Sequence, residues 1–161
     1  MNGTPAAPQA GTLIAGLDPG RSKCGLVLAD TEQKLVLEAA ILPPQDSSSL
    51  LQSWQQQGLQ GVVLGNGTGS SSWRQPLNQL QLKPVLVNEH GSTLAARQRY
   101  WELYPPSLWT RLWPPGLRLP PRDIDDVVAQ LLVERHCGIR LQRPSAAVQR
   151  TLMATKTSPA R

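Results

Sequence analysis

The sequence is poor in the residues that aromatic cores and cysteine- or histidine-based sites require. It has no Phe among 161 residues, its aromatic content is 4%, and it contains two Cys and two His. Two cysteines cannot by themselves form a disulfide framework or a four-ligand zinc site. The core must be built mainly from Leu and Val, and any metal chemistry must use other ligands.

Long apolar runs are absent as well. The apolar stretches are short and are broken by Gly, Gln or charged residues, so we expect no membrane-spanning helix. The first twenty residues have no basic start followed by an apolar stretch, and we therefore expect no secretory signal. Together these absences predict a protein of the reducing cytoplasm that does not associate with a membrane.

The formal net charge of +5 is unevenly distributed along the chain. Residues 135–161 hold six of the sixteen basic residues and none of the eleven acidic ones, which leaves the preceding part close to neutral. A near-neutral body with a cationic end predicts either a polyanionic partner or a tail that only aids solubility.

The length and the distribution of Pro and Gly predict one domain with loose ends. Residues 1–11 offer nothing to bury and predict a disordered lead-in. The domain is expected over residues 12–138, and residues 139–161 are expected to form a basic, flexible tail. Within the domain, the apolar runs predict three antiparallel strands followed by alternating helices and strands. This order predicts an α/β fold with a five-stranded mixed sheet and helices on both faces.

Three acidic residues stand where predicted strands end or the last helix begins. Asp18 follows five apolar residues of the first strand, and Glu89 follows the fifth strand. Asp125 lies at the edge of the apolar arc of the last helix, so we expect it to face the sheet. Alternatively, Asp18 only caps a Pro-Gly turn and the helix acids only satisfy the helix N-terminus.

Carboxylates that converge in this way suit a hard divalent cation. Mg²⁺ prefers oxygen ligands and keeps several waters. Two such ions can activate a water molecule and stabilise the leaving oxygen of a phosphodiester. We therefore expect Mg²⁺ or Mn²⁺ as the cofactor.

The sequence carries four motifs in chain order: residues 16–25 (GLDPGRSKCG), 64–68 (LGNGT), 87–92 (VNEHGS) and 125–132 (DDVVAQLL). The first resembles the opening motif of the YqgF (RuvX) and RuvC branches of the ribonuclease-H-like superfamily. The last two resemble the acidic strand end and the C-terminal helix of YqgF proteins. The two middle motifs are also similar to the YqgF-like domain of the Tex transcription accessory protein.

The resemblance implies a ribonuclease-H-like fold and a divalent-metal-dependent nuclease acting on structured nucleic acid, with precursor ribosomal RNA first and branched DNA second. It implies that Asp18, Glu89 and Asp125 are catalytic and bind the metal, with Asp126 as a neighbouring ligand. The chain departs from the pattern at Asn66, where RuvC nucleases place a carboxylate, and in the residues that flank Glu89. These departures leave a second hypothesis, a non-catalytic nucleic-acid-binding module of the same fold.

Contacts to RNA or DNA are predicted from basic, amide-rich and aromatic residues in the loops. Exposed amides at a helix start suit a phosphate, aromatic rings stack on unpaired bases, and arginines hold phosphates. The residues predicted on these grounds are Arg21, Lys23, Asn66, Thr68, Trp109, Arg111 and Trp113. The alternatives are an ordinary turn for the glycine-rich loop and, for the two tryptophans, burial in a core without Phe. Monomer and homodimer both stay open.

Overall fold

The computed structural model describes residues 11–144 and 148–151, so the lead-in predicted for residues 1–11 lies outside the described residues except for Gly11. The strands are β1 (Leu13–Asp18), β2 (Cys24–Asp30), β3 (Leu35–Leu42), β4 (Gly61–Gly65), β5 (Pro84–Val87) and β6 (Val148–Thr151). The α-helices are α1 (Pro44–Gln56), α2 (Arg74–Gln79), α3 (Ser92–Leu103), α4 (Leu108–Arg111) and α5 (Asp125–Cys137). Single 3₁₀ turns lie at Ser70–Trp73 and Pro115–Leu117.

The strands form one mixed sheet in the order β5-β4-β1-β2-β3-β6. β2 runs antiparallel to β1 and β3, whereas β4 runs parallel to β1 and β5 runs parallel to β4. Short links permit the antiparallel hairpins, and the longer crossovers through α1 and α2 return the chain in the parallel direction. The first five strands have the order and directions of the ribonuclease-H-like fold, which confirms the predicted fold class.

The structure differs from the prediction in the segment expected to be a flexible tail. Residues 148–151 form β6, which pairs with β3 in parallel and adds a sixth strand. Leu141 is fully buried, and the backbone N–H of Val36 donates to the carbonyl of Gln142 at 2.8 Å. The basic composition of this segment concealed its packing, because Arg143 forms a buried ion pair with Asp126.

Helices cover both faces of the sheet, as the sequence predicts. On one face, Leu51 and Trp54 of α1 and Leu77 of α2 belong to a core cluster with residues of β1, β2 and β4. On the other face, Leu132 and Val133 of α5 belong to a second cluster with β2, β3 and β4. The longest helices, α1 and α5, have 13 residues, and no helix in the described part of the chain is long and apolar enough to cross a bilayer.

Two glycines allow α5 to lie against the backbone of the sheet. A Cβ at Gly16 would overlap the carbonyl oxygen of Ala129, and a Cβ at Gly25 would overlap that of Asp125. Asp125 and Ala129 are about one helical turn apart. The first turn of α5 therefore lies over Gly25, which is the residue paired with Asp18 across β1 and β2.

Candidate active site

The carboxyl ends of the parallel strands bring two acidic side chains together. Asp18 is the last residue of β1, and Glu89 comes two residues after Val87, which ends β5. The two side chains lie within hydrogen-bonding reach of each other, and the charge of Glu89 acts on Asp18. Open sheets with parallel strands place their ligand sites at this edge.

Two glycines in and after the end of β4 make room for the Glu89 carboxylate. A Cβ at Gly65 would overlap Oε1 of Glu89, and a Cβ at Gly67 would overlap Oε2. The Oε1 atom is buried, and no donor among the described residues forms a hydrogen bond to it. A buried carboxylate oxygen without a donor is costly, so this oxygen marks a place for a cation or a proton.

The Asp18 carboxyl holds its proton much more tightly than a free aspartic acid does. Burial, then the charge of Glu89 and a hydrogen bond with it, then the charge of Asp125 raise the pKa of Asp18 from 3.8 to about 7. Asp18 therefore keeps its proton up to about neutral pH, next to Glu89. A cation bound at the pair would replace that proton, and cation binding is therefore linked to proton release.

The third predicted acid, Asp125, is engaged by a lysine. The Oδ2 atom of Asp125 lies 3.4 Å from Lys23 Nζ, and the same Nζ lies 2.7 Å from Oδ2 of Asp123. The hydrogen bond to Asp123 is the main reason that the pKa of Lys23 is raised. Lys23 is predicted from the sequence as a nucleic-acid contact, but the structure places its ammonium group against Asp125 and Asp123. No local sequence signal predicts the contact with Asp123.

The described residues contain no group of three or more His, Cys, Asp or Glu side chains arranged to hold a metal ion. Asp18 and Glu89 form a two-carboxylate pair, whereas Asp125 acts on Asp18 by its charge and contacts Lys23. Mg²⁺ is commonly bound by one or two carboxylates, with waters and substrate phosphates completing its shell. The pair and the unpaired Glu89 oxygen therefore fit a divalent cation, and Asp125 as a third ligand stays a prediction.

Asp126 lies outside this acidic cluster, which corrects its prediction as a neighbouring metal ligand. Its buried carboxylate pairs with Arg122 at 2.8 Å and with Arg143 at 2.6 Å. Burial opposes the charge, but the hydrogen bond from Arg122 and the charge of Arg143 lower the pKa of Asp126. Adjacent helical residues point about 100° apart, so Asp125 and Asp126 serve different parts of the molecule.

Asn66 holds the backbone of Glu89 in place. Its Oδ1 atom accepts a hydrogen bond from the Glu89 N–H at 3.2 Å, and its own N–H donates to the Val87 carbonyl at 3.0 Å. An amide side chain can accept a hydrogen bond from this N–H at neutral pH without adding a charge to the acidic pair. The departure of Asn66 from the RuvC pattern therefore has a structural role at the site.

Arg21 and Thr68 are exposed on two loops that contact each other at the same edge of the sheet. The loop after β1 approaches the loop after β4 so closely that a Cβ at Gly69 would lie 2.8 Å from the carbonyl oxygen of Pro19. A basic side chain and a hydroxyl are thus presented beside the acidic pair.

The two tryptophans of the Pro-rich loop are exposed, so the alternative that they fill the core is wrong. The exposed fraction is 81% for Trp109 and 60% for Trp113. Hydrogen bonds hold the loop together, since the Arg118 guanidinium donates to the carbonyls of Trp113 at 2.9 Å and of Arg111 at 3.0 Å. Ser107 caps the short helix α4 by accepting a hydrogen bond from the Thr110 N–H. The loop presents two indole rings four residues apart, with the exposed Arg111 between them.

Comparison with solved structures finds likenesses at low sequence identity. No protein-family model and no curated protein matches the chain. A structure of T. thermophilus RuvC in complex with a Holliday junction substrate has a TM-score of 0.45 and 13% identity, covering 78% of this chain and 96% of that one. A second structure is the K428A mutant nuclease domain of the large terminase subunit gp2 of bacterial virus Sf6, with manganese and beta-thujaplicinol. Its TM-score is 0.43 and its sequence identity is 10%, and the alignment covers 86% of this chain and 65% of that chain. Likenesses at this level do not establish a function.

Proposed function

We propose that this chain is a divalent-metal-dependent nuclease that hydrolyses phosphodiester bonds in structured nucleic acid. The observation that carries the proposal is the convergence of Asp18 and Glu89 at the carboxyl edge of the sheet, beside the start of α5. The contact with Glu89 raises the pKa of Asp18, and one Glu89 oxygen is buried without a donor among the described residues. Both features suit a site that binds a cation. Perturbed carboxylates of this kind concentrate at functional sites.

Asp18 and Glu89 are the residues that would hold Mg²⁺ or Mn²⁺. A divalent cation held there supplies charge stabilisation for the phosphodiester and activation of a water nucleophile. Asn66 fixes the Glu89 backbone, and the glycines that flank its carboxylate keep the approach open. Asp125 adds negative charge next to Asp18, which favours cation binding over the apo pair.

Exposed loop residues supply the proposed nucleic-acid contacts. Arg21 would bind a backbone phosphate, and Thr68 would donate a hydrogen bond to one. Trp109 and Trp113 present exposed ring faces on which unpaired bases can stack, and Arg111 lies between them to hold a phosphate. We propose structured RNA as the substrate. Precursor ribosomal RNA is the first candidate, because of the family resemblance, and branched DNA is the second candidate.

The test is cleavage of labelled structured RNA and branched DNA with Mg²⁺ or Mn²⁺. We expect the wild type to cleave, and we expect Asp18→Asn and Glu89→Gln to lose cleavage while keeping most of their affinity for the substrate. Glu32→Gln is the matched control, because Glu32 is exposed in the turn at the opposite edge of the sheet. Cleavage by Asp18→Asn at the wild-type rate would refute the proposal.

A second candidate function, a binding module without catalysis, is favoured by two observations. Lys23 contacts Asp125, and the described residues lack a three-ligand metal group. Under this alternative the protein binds RNA or branched DNA but does not cleave any member of the panel with either metal. The slope of log affinity against log salt would then report the number of phosphate contacts.

A further inference from the structure

We propose that Lys23 is the internal counter-ion of Asp125 and that it limits the site to a single divalent cation on Asp18 and Glu89. The inference rests on the proposed metal-dependent function and deepens it, since it concerns how many cations the site takes. Lys23 would be a positioning residue, because it acts through Asp125 rather than on the substrate.

The geometry places the ammonium group against Asp125, the acid that a second cation would need as a ligand. Lys23 Nζ lies 2.7 Å from Asp123 Oδ2 and 3.4 Å from Asp125 Oδ2. Lys23 belongs to the loop between β1 and β2, five residues after Asp18, and Asp125 opens α5. Contact between α5 and Gly25 fixes these two elements against each other, so the ion pair is attached to rigid parts of the fold.

The acidic cluster is thereby divided into two parts with different partners. Asp18 and Glu89 lie against each other, and one Glu89 oxygen is buried without a donor among the described residues. Asp123 and Asp125 share the charge of Lys23. Two-metal nuclease sites hold their ions about 3.5–4 Å apart and need carboxylates for both. A second divalent ion on Asp125 would have to displace Lys23 or accept repulsion from its ammonium group.

Stability is a poor explanation for this ion pair. The side chains of Lys23, Asp123 and Asp125 are 38%, 63% and 28% exposed, and exposed ion pairs contribute little to folding because water and salt screen them. Loss of Lys23 should therefore change cation binding much more than it changes the melting temperature.

The experiment is titration of the full chain with Mn²⁺ alone, followed by calorimetry and by electron paramagnetic resonance of the free ion. We expect one Mn²⁺ per chain for the wild type and two for Lys23→Met, because the uncharged side chain releases Asp125. Lys23→Arg retains the positive charge and should bind one Mn²⁺ per chain, as the wild type does. Lys83→Met, which removes an exposed lysine that lines a groove beside β5, is the matched control and should bind one.

The outcomes separate this inference from the proposed function. Two Mn²⁺ ions on the wild type, or a single ion on Lys23→Met at unchanged affinity, would overturn the role of Lys23 and leave the metal-dependent function standing. No Mn²⁺ on the wild type would overturn both. A melting temperature of Lys23→Met close to that of the wild type shows that the variant is folded. Adding Asp125→Asn to Lys23→Met should reduce the number of bound Mn²⁺ ions per chain from two to one.

Discussion

Replacing Asp18 by Asn is expected to stabilise the fold at neutral and alkaline pH while it abolishes activity. The Asp18 carboxyl is forced against Glu89 and is partly buried, so its ionised form is unfavourable in the folded protein. Asn has nearly the same shape and carries no charge. The variant therefore removes a repulsion that the wild type must tolerate whenever both carboxylates are ionised.

The magnitude follows from the pKa of Asp18, which rises from 3.8 to about 7 on folding. Because the folded chain binds this proton more tightly than the unfolded chain, the free energy of unfolding falls as pH rises between these two values. At about 1.4 kcal/mol for each pKa unit, the fall is at most about 4 kcal/mol. Rearrangement of the two side chains would relieve part of it, so this is the upper limit.

The assay is urea unfolding of wild type and Asp18→Asn in a chelator, from about pH 4 to about pH 8. The stability difference should be near zero at the acid end and should grow as pH rises, with the variant the more stable. Adding Mg²⁺ at pH 8 should raise the unfolding midpoint of the wild type but not that of the variant, since a bound cation stabilises only the state that binds it. A difference that stays constant over the whole pH range would refute the raised pKa of Asp18.

Three further predictions concern packing and substrate contacts. Gly25→Ala should destabilise the fold by about 1–3 kcal/mol in urea unfolding, because the new Cβ would overlap the backbone of α5. Gly61→Ala is the control, because a Cβ there would lie 3.5 Å from its nearest neighbour. Equal unfolding midpoints for the two variants would contradict this. Arg143→Met should lower the free energy of unfolding by about 3–5 kcal/mol in the same assay, because the buried Asp126 carboxylate loses one of its partners. A loss below about 1 kcal/mol would show that the fold does not depend on the Arg143–Asp126 pair. Ala at Trp109 and Trp113 should weaken binding of single-stranded RNA by about 1–3 kcal/mol per stacked base and leave the melting temperature unchanged; equal losses on blunt duplex would argue against stacking.

The sequence predicts the order of the strands because their apolar runs and link lengths are local features. It also predicts that Asp18 and Glu89 lie at one edge, since both follow strands whose carboxyl ends must meet if the sheet is parallel there. It does not predict that Lys23 contacts Asp125, because that contact depends on how closely α5 approaches β2. The signal was present in Gly25, but a single glycine in a strand does not identify what approaches it.

The segment after α5 shows a different reason for failure. Its composition is basic and polar, and such composition usually indicates a solvated tail. Arg143 is nevertheless 3% exposed, because its charge is matched by Asp126 and its Nε donates to Gln130. A long-range ion pair of this kind leaves no local periodicity, so the sequence alone cannot distinguish a buried arginine from a solvated one.

The same close packing that stabilises the fold adds a third negative charge near the acidic pair. Gly16 and Gly25 allow α5 to lie on the sheet, which buries its apolar residues and also brings the charge of Asp125 toward Asp18. Moving the helix away would remove the charge of Asp125, the smallest of the causes that raise the pKa of Asp18, but it would expose Leu132 and Val133, which are fully buried. Burial of two such side chains is worth about 3–6 kcal/mol. The helix therefore stays, and a cation or a proton is left as the means of relieving the repulsion between the carboxylates.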